Sequence, residues 1–276
     1  MVLTFFFFSF FTIAMAMVAK TARDAYFLSR FDKSILPLMF LAIAVVMGPI
    51  LTYYTKLSTK LAPRVLFMIT CAIFIGSFIL VQPLITGFVI PVVYIWVEIV
   101  VGISLIRFWT CAGDSFEPQQ AKRLFSIIAG GGSFAVMIIG MNLKPFVSVF
   151  GTDELLFLAA GFMGLTAFFG LKSMQYLKKE PVKKGTSKQT KKGAKKKKEK
   201  RDPFLVGIGT IIALSAVVTT LIDYQFKIIA STAFPSEAEL VSFFGTFYSI
   251  AGAASIIMQF FITGPILSRF GILIGL

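Results

Sequence analysis

Eight apolar runs, each near the ~20 residues a helix needs to cross ~30 Å of hydrocarbon, divide this sequence. They fall at roughly 2–19, 36–55, 65–85, 88–109, 124–143, 154–177, 204–229 and 239–262. Lipid supplies no water to an open backbone, so runs of this length are expected as spanning helices. The alternating decads of a membrane barrel are missing. With 57% hydrophobic residues and 32 Phe, the chain carries more apolar surface than a soluble core could hide. The first run has no basic leader and no small-residue cleavage site, which predicts a retained helix rather than a signal peptide. Ser236 and Glu239, behind Pro235, have the spacing of a capping box, and Asp153 after Gly151 marks another expected helix start.

Charge sets the expected orientation. Lys178 to Asp202, "KKEPVKKGTSKQTKKGAKKKKEKRD", holds 13 basic and 3 acidic residues, and so most of the net +14. A block of that kind is easiest to keep cytoplasmic, which by alternation places the N-terminus on the same side. Lys56, Lys60 and Arg64, then Arg107, Lys122 and Arg123, then Arg269 fall in loops that this topology also puts inside. Residues 178–202 are expected to form a basic cytoplasmic linker between two helical bundles. Contact with anionic lipid is its other reading, at about 1 kcal/mol per basic residue near the surface. No nucleic-acid partner is expected.

The connection after the first run breaks the positive-inside pattern. "AKTARDAYFLSRF" contains Lys20, Arg23, Asp24 and Arg30, and "TTLIDYQFKIIAS" carries Asp223 and Lys227. Lys20 and Asp24 are four residues apart, as are Asp223 and Lys227, a spacing that puts each pair on one helical face. Each pair also comes near the end of the first span of an expected bundle. Asp24 to Arg64 and Asp223 to Arg269 then follow the same weak order of charged stretch, polar break, span and basic loop. Two like-oriented copies joined by a long linker have the organisation of a parallel-repeat transporter of the major facilitator type. The expected architecture is all-α: a six-helix N-terminal bundle (1–177), the linker (178–202), and an incomplete second bundle (203–276) whose last run is too short to span.

"KTARDAYFLSRF", "FWTCAGDSFEPQQAKRLFSIIAGGGS" and "IDYQFKIIASTAFPSEAELVSFFGTFYS" occur in that order. Together they resemble the nucleotide transporters, or ATP/ADP translocases, of plastids and intracellular bacteria. The resemblance covers nearly the whole chain. It implies a twelve-span carrier that exchanges ATP for ADP or imports other nucleotides, of which this sequence matches the first two thirds, placed in a bacterial inner membrane. It also implies transport roles for Lys20 and Asp223, and an acidic residue before the A-K-R segment where this sequence has Gln120. That departure bears on strict ATP/ADP exchange more than on transport.

The residues themselves are compatible with a phosphate-bearing anion as substrate. Lys20, Arg23 and Lys227 supply cationic donors, and Asp24 and Asp223 can pair them when no substrate is bound. The plainer reading of the same pairs is interfacial salt bridges worth a few tenths of a kcal/mol. Glu98, inside the fourth run, costs at least ~2.5 kcal/mol to insert and should face the interior with a partner or a proton, in coupling or as a buried structural charge. A non-transporting membrane anchor built around the basic linker is the competing function.

Other features exclude or remain structural. The absence of His excludes imidazole relays, Ser-His-Asp hydrolysis and His-ligated metal, and on the carrier reading no enzyme activity, metal or cofactor is expected. Cys71 and Cys111 read as small hydrophobes. "AGGGS" at 129–133 lacks the Lys and the strand of a phosphate-binding loop. Ala129, Gly132, Ser133 and Gly140 instead make a small-residue face for close helix packing. The cluster Phe5 to Phe8 is expected to face lipid.

Overall fold

A computed structural model describes residues 1–85, 87–116, 118–176 and 203–259, without the side chains of 118–123 and 203–206. The linker, the residues after 259 with Arg269, and the side chains of Gln120, Lys122 and Arg123 lie outside the described residues. The α-helices are α1 (Val2–Arg30), α2 (Leu36–Ser58), α3 (Pro63–Val81), α4 (Val89–Ser115), α5 (Pro118–Phe150), α6 (Leu155–Ser173), α7 (Pro203–Ala233) and α8 (Glu237–Ile257). All 8 are long and apolar enough to cross a membrane. No strand occurs among the described residues, and the chain is an all-α polytopic membrane protein.

The helices match the apolar runs, with one informative difference. The first run stops at residue 19 by hydropathy, yet α1 continues to Arg30 without a break. Lys20, Arg23 and Asp24 therefore lie in a helix and not in a connecting loop. Charges are tolerated there because α1 is the central helix, packed on α4, α5, α6 and α8, so that its polar side chains meet protein instead of hydrocarbon. Its small residues Ala14, Ala19, Ala22 and Ala25 are fully buried and let those neighbours approach.

The central position of α1 also corrects the expectation for its first turns. Phe5 and Phe8 are buried, not lipid-facing. Phe8 meets Phe108 of α4 with ring centroids 5.1 Å apart, and Phe5 meets Phe116 at 5.1 Å. Hydropathy alone cannot separate an aromatic that packs on protein from one that packs on lipid, since both surroundings are apolar.

The small-residue face expected on α5 is present, and its principal partner is α8. A Cβ on Gly140 would stand 2.5 Å from the backbone oxygen of Gly245, and one on Gly245 would stand 2.8 Å from Gly140 O. Ser249 Oγ donates to Met137 O at 3.0 Å across the same contact. Two helices this close gain dispersion contacts over their backbones, the main source of helix association where the surrounding lipid is as apolar as the side chains.

Helix ends follow local chemistry. Ser236 and Glu239 form the expected capping box at the start of α8. α6 begins at Leu155, two residues beyond Asp153, after Gly151 has turned the chain at φ 85°. Between α1 and α2, Asp32 accepts a hydrogen bond from Ser34 N at 3.1 Å, and its bonds from Ser34 hold the carboxyl below the usual carboxylate range.

Candidate functional site

Six ionisable side chains from three helices meet at one level of the molecule. α1 contributes Lys20, Arg23 and Asp24, α4 contributes Glu98, and α7 contributes Asp223 and Lys227. On α1, positions 20, 23 and 24 share a face by helical spacing. On α7, positions 223 and 227 do the same, and all six line one cavity of ≈ 850 Å³.

The contacts run in a line of alternating sign. Lys20 Nζ lies 2.9 Å from Glu98 Oε1, and Glu98 Oε2 lies 2.7 Å from Arg23 Nη1. Arg23 Nε is 3.3 Å from Asp24 Oδ1, and Asp24 Oδ2 is 3.2 Å from Lys227 Nζ. Lys227 ends the line against Asp223 Oδ2 at 2.8 Å. Three cations and three carboxylates cancel, so the network is neutral as a whole. Burial follows position along it. Arg23, Asp24 and Lys227 are buried, while the two ends, Lys20 and Asp223, are 40% and 37% exposed to the cavity.

The Asp223 and Lys227 pair is the one the sequence spacing predicts. Lys20 and Asp24, at the same spacing, do not pair with each other. Lys20 turns to Glu98, and Asp24 turns to Arg23 and Lys227. The reason is geometric: a carboxylate offers about four lone-pair sites, and α4 and α7 bring better-placed partners than the neighbouring turn. Glu98 has the interior position and the partners its burial requires, and it is the shared anion of Lys20 and Arg23.

Tyr94 is part of this site and the sequence does not single it out. It is fully buried on α4, one turn before Glu98. The Arg23 guanidinium lies 4.3 Å from its ring centroid, and Arg23 Nη1 donates to Tyr94 O at 3.0 Å. Lys227 Nζ donates to Tyr94 Oη at 3.3 Å. A ring face over a desolvated guanidinium adds about 2 kcal/mol of cation–π attraction and fixes the cation's plane. The spacing of four to Glu98 is the only trace of this role in the sequence.

A second polar cluster lies farther along α1, on the opposite side of the network from Ile13 and Leu105, which line the cavity. Glu237, in the first turn of α8, accepts from Arg30 Nε at 2.5 Å, Ser29 Oγ at 3.0 Å and Thr152 Oγ1 at 3.1 Å. Lys33 Nζ reaches Ser231 O near the end of α7 at 3.0 Å. These bonds tie the start of α8 to α1 and to the connection between α5 and α6, and the end of α7 to the turn between α1 and α2. No group of residues able to hold a metal ion occurs among the described residues.

Residues 84–275 match the family model described as TLC ATP/ADP transporter. Among curated proteins, ADP,ATP carrier protein 1 of Chlamydia muridarum (strain MoPn / Nigg) is 24% identical over 191 residues, covering 62% of this chain and 36% of that protein. The chain thus spans about a third of the length of that relative. No solved structure matches.

Proposed function

This chain belongs to the TLC ATP/ADP transporter family, and from that premise we propose that it takes part in nucleotide movement across a membrane by alternating access. The observation that carries the reading is the neutral line of six charges around the ≈ 850 Å³ cavity. In the reading, phosphate oxygens replace Glu98 and Asp24 as partners of Lys20, Arg23 and Lys227. Phosphate matches a guanidinium bidentately and forms charge-assisted bonds about twice as strong as neutral ones. Without such a replacement the buried cations Arg23 and Lys227 would be left unpaired, at about 3–5 kcal/mol. The ion pairs thus hold the solute-free site together, and a ligand with several anionic oxygens is suited to replace them.

Alternating access needs a contact that closes one end while the other is open. The Glu237 cluster supports that part of the reading, since it joins α8 to α1 on the side of the network away from Ile13 and Leu105. We propose the division into an N-terminal bundle (1–177), a linker (178–202) and a second bundle from 203 onward, with the N-terminus and linker cytoplasmic in a bacterial inner membrane. ATP/ADP exchange and uptake of a related nucleotide both fit. On this reading the protein is a carrier and not an enzyme.

Uptake of labelled ATP, ADP, GTP and NAD by cells expressing the full reading frame tests the function. Saturable nucleotide uptake is expected. Saturable uptake of a neutral sugar or amino acid, with none of nucleotides, would overturn it. Trypsin added to inside-out vesicles should cut the linker, and protection there would reverse the topology.

A further inference from the structure

Away from the charged network the cavity has two unlike walls. Ile13 and Met17 of α1, with Val101 and Leu105 of α4, make an apolar side. α7 faces them with Ser215, Thr219 and Thr220. Ser215, Thr219, Asp223 and Lys227 follow one another at intervals of four, so the hydroxyls continue the charged line along one helical face. At a rise of 1.5 Å per residue, Ser215 stands about 12 Å along the axis from Asp223.

The threonine hydroxyls have a defined hydrogen-bonding sense. Thr219 Oγ1 donates to Ser215 O at 2.9 Å, and Thr220 Oγ1 donates to Ala216 O at 2.8 Å. A hydroxyl has one proton and two lone pairs, so each threonine has its proton committed to its own helix and offers the cavity an acceptor. Threonines in membrane helices bond back to the preceding turn as a matter of course, and that alone marks no site. A second residue lining the same cavity does. Thr21 Oγ1, on α1 beside Lys20, is 2% exposed and has no hydrogen-bond partner. Leaving a buried hydroxyl unpaired is unfavourable, and a solute that reaches it by a small side-chain rotation removes that cost.

We infer that the hydroxyl face of α7, met at its charged end by Thr21, is a subsite for the uncharged part of the solute: a ring bearing hydrogen-bond donors on its rim, such as the hydroxyls of a sugar or the amino group of a base. The inference rests on the nucleotide reading and assigns the two ends of that solute. The phosphates sit at Lys20, Arg23 and Lys227. The sugar and base extend toward Ser215, their edge donors on α7 and their flat face on the apolar wall. A cavity of ≈ 850 Å³ is in the range that encloses a whole small-molecule ligand, far more than an inorganic phosphate fills.

Binding of ADP and of pyrophosphate to the purified protein in nanodiscs separates the two ends. Thr219→Val with Thr220→Val keeps side-chain shape and removes both acceptors. ADP affinity is expected to fall about tenfold, the loss of roughly two net hydrogen bonds, while pyrophosphate affinity stays as in the wild type and reports that the site is folded. Lys20→Ala should weaken both ligands. Unchanged ADP affinity in the threonine variant, or an equal loss for pyrophosphate, overturns the subsite. A wild-type protein that binds neither ligand overturns the nucleotide reading and the subsite with it.

Discussion

Lys227 Nζ on α7 lies 3.2 Å from Asp24 Oδ2 on α1, and both side chains are buried. The same ammonium is 2.8 Å from Asp223 Oδ2 one turn back on its own helix. Lys227 thus belongs to an intrahelical pair and to the bond that joins α7 to the central helix. On the proposed function, a phosphate that took Lys227 from Asp24 would also release the link between those helices.

Removing one member of that bond should orphan the other. Asp24→Asn and Lys227→Gln are each expected to lower stability by about 3–5 kcal/mol, seen as a drop in melting temperature in detergent. The double variant should recover part of the loss, because neither charge is then left alone. Single variants that melt like the wild type would remove this pair from the account.

The exposed ends of the network should matter for transport more than for folding. Lys20→Ala and Asp223→Ala are expected to cut uptake roughly tenfold to a hundredfold, the value of one or more hydrogen bonds to a charged group, with membrane insertion retained. Lys56→Ala, at an exposed position near the end of α2, is the control. If all three variants behave alike, the paired charges are anchors and the transport site lies elsewhere.

The contact between Ser29 and Glu237 should have to open in each cycle. A Ser29→Cys, Glu237→Cys protein bridged by a short thiol crosslinker is expected to lose uptake and to regain it when the bridge is cleaved. Cys71 and Cys111 are buried, so the otherwise unmodified protein should be insensitive to the reagent. Full uptake in the bridged state would mean that this end does not move.

Close backbone approach at Gly140 predicts a sharp contrast between two alanine substitutions. Gly140→Ala places a Cβ 2.5 Å from Gly245 O and is expected to cost about 1–3 kcal/mol through helix displacement. Gly161→Ala meets nothing within 4 Å and should be neutral or slightly stabilising, as alanine favours the helix by roughly 0.8–1.0 kcal/mol. Equal melting temperatures for the two would show that α5 and α8 can part freely.

Much of the fold is legible in the sequence because crossing a bilayer is a local requirement. About twenty apolar residues either are or are not consecutive, and all eight runs became helices. The capping box at Ser236 and the pairing of Asp223 with Lys227 are legible for the same reason, since both join residues within one turn. Which charges meet across the molecule is a different matter. Lys20 finds Glu98, 78 positions away, in preference to Asp24, and Glu237, beside the capping box, is held by Arg30 from 207 positions away. Phe5 and Phe8, identical in hydropathy to any lipid-facing aromatic, are buried because four helices close around α1. Those outcomes depend on the distances between helices, set by small residues such as Gly140 and Gly245, and a distance of that kind exists only once the helices have packed.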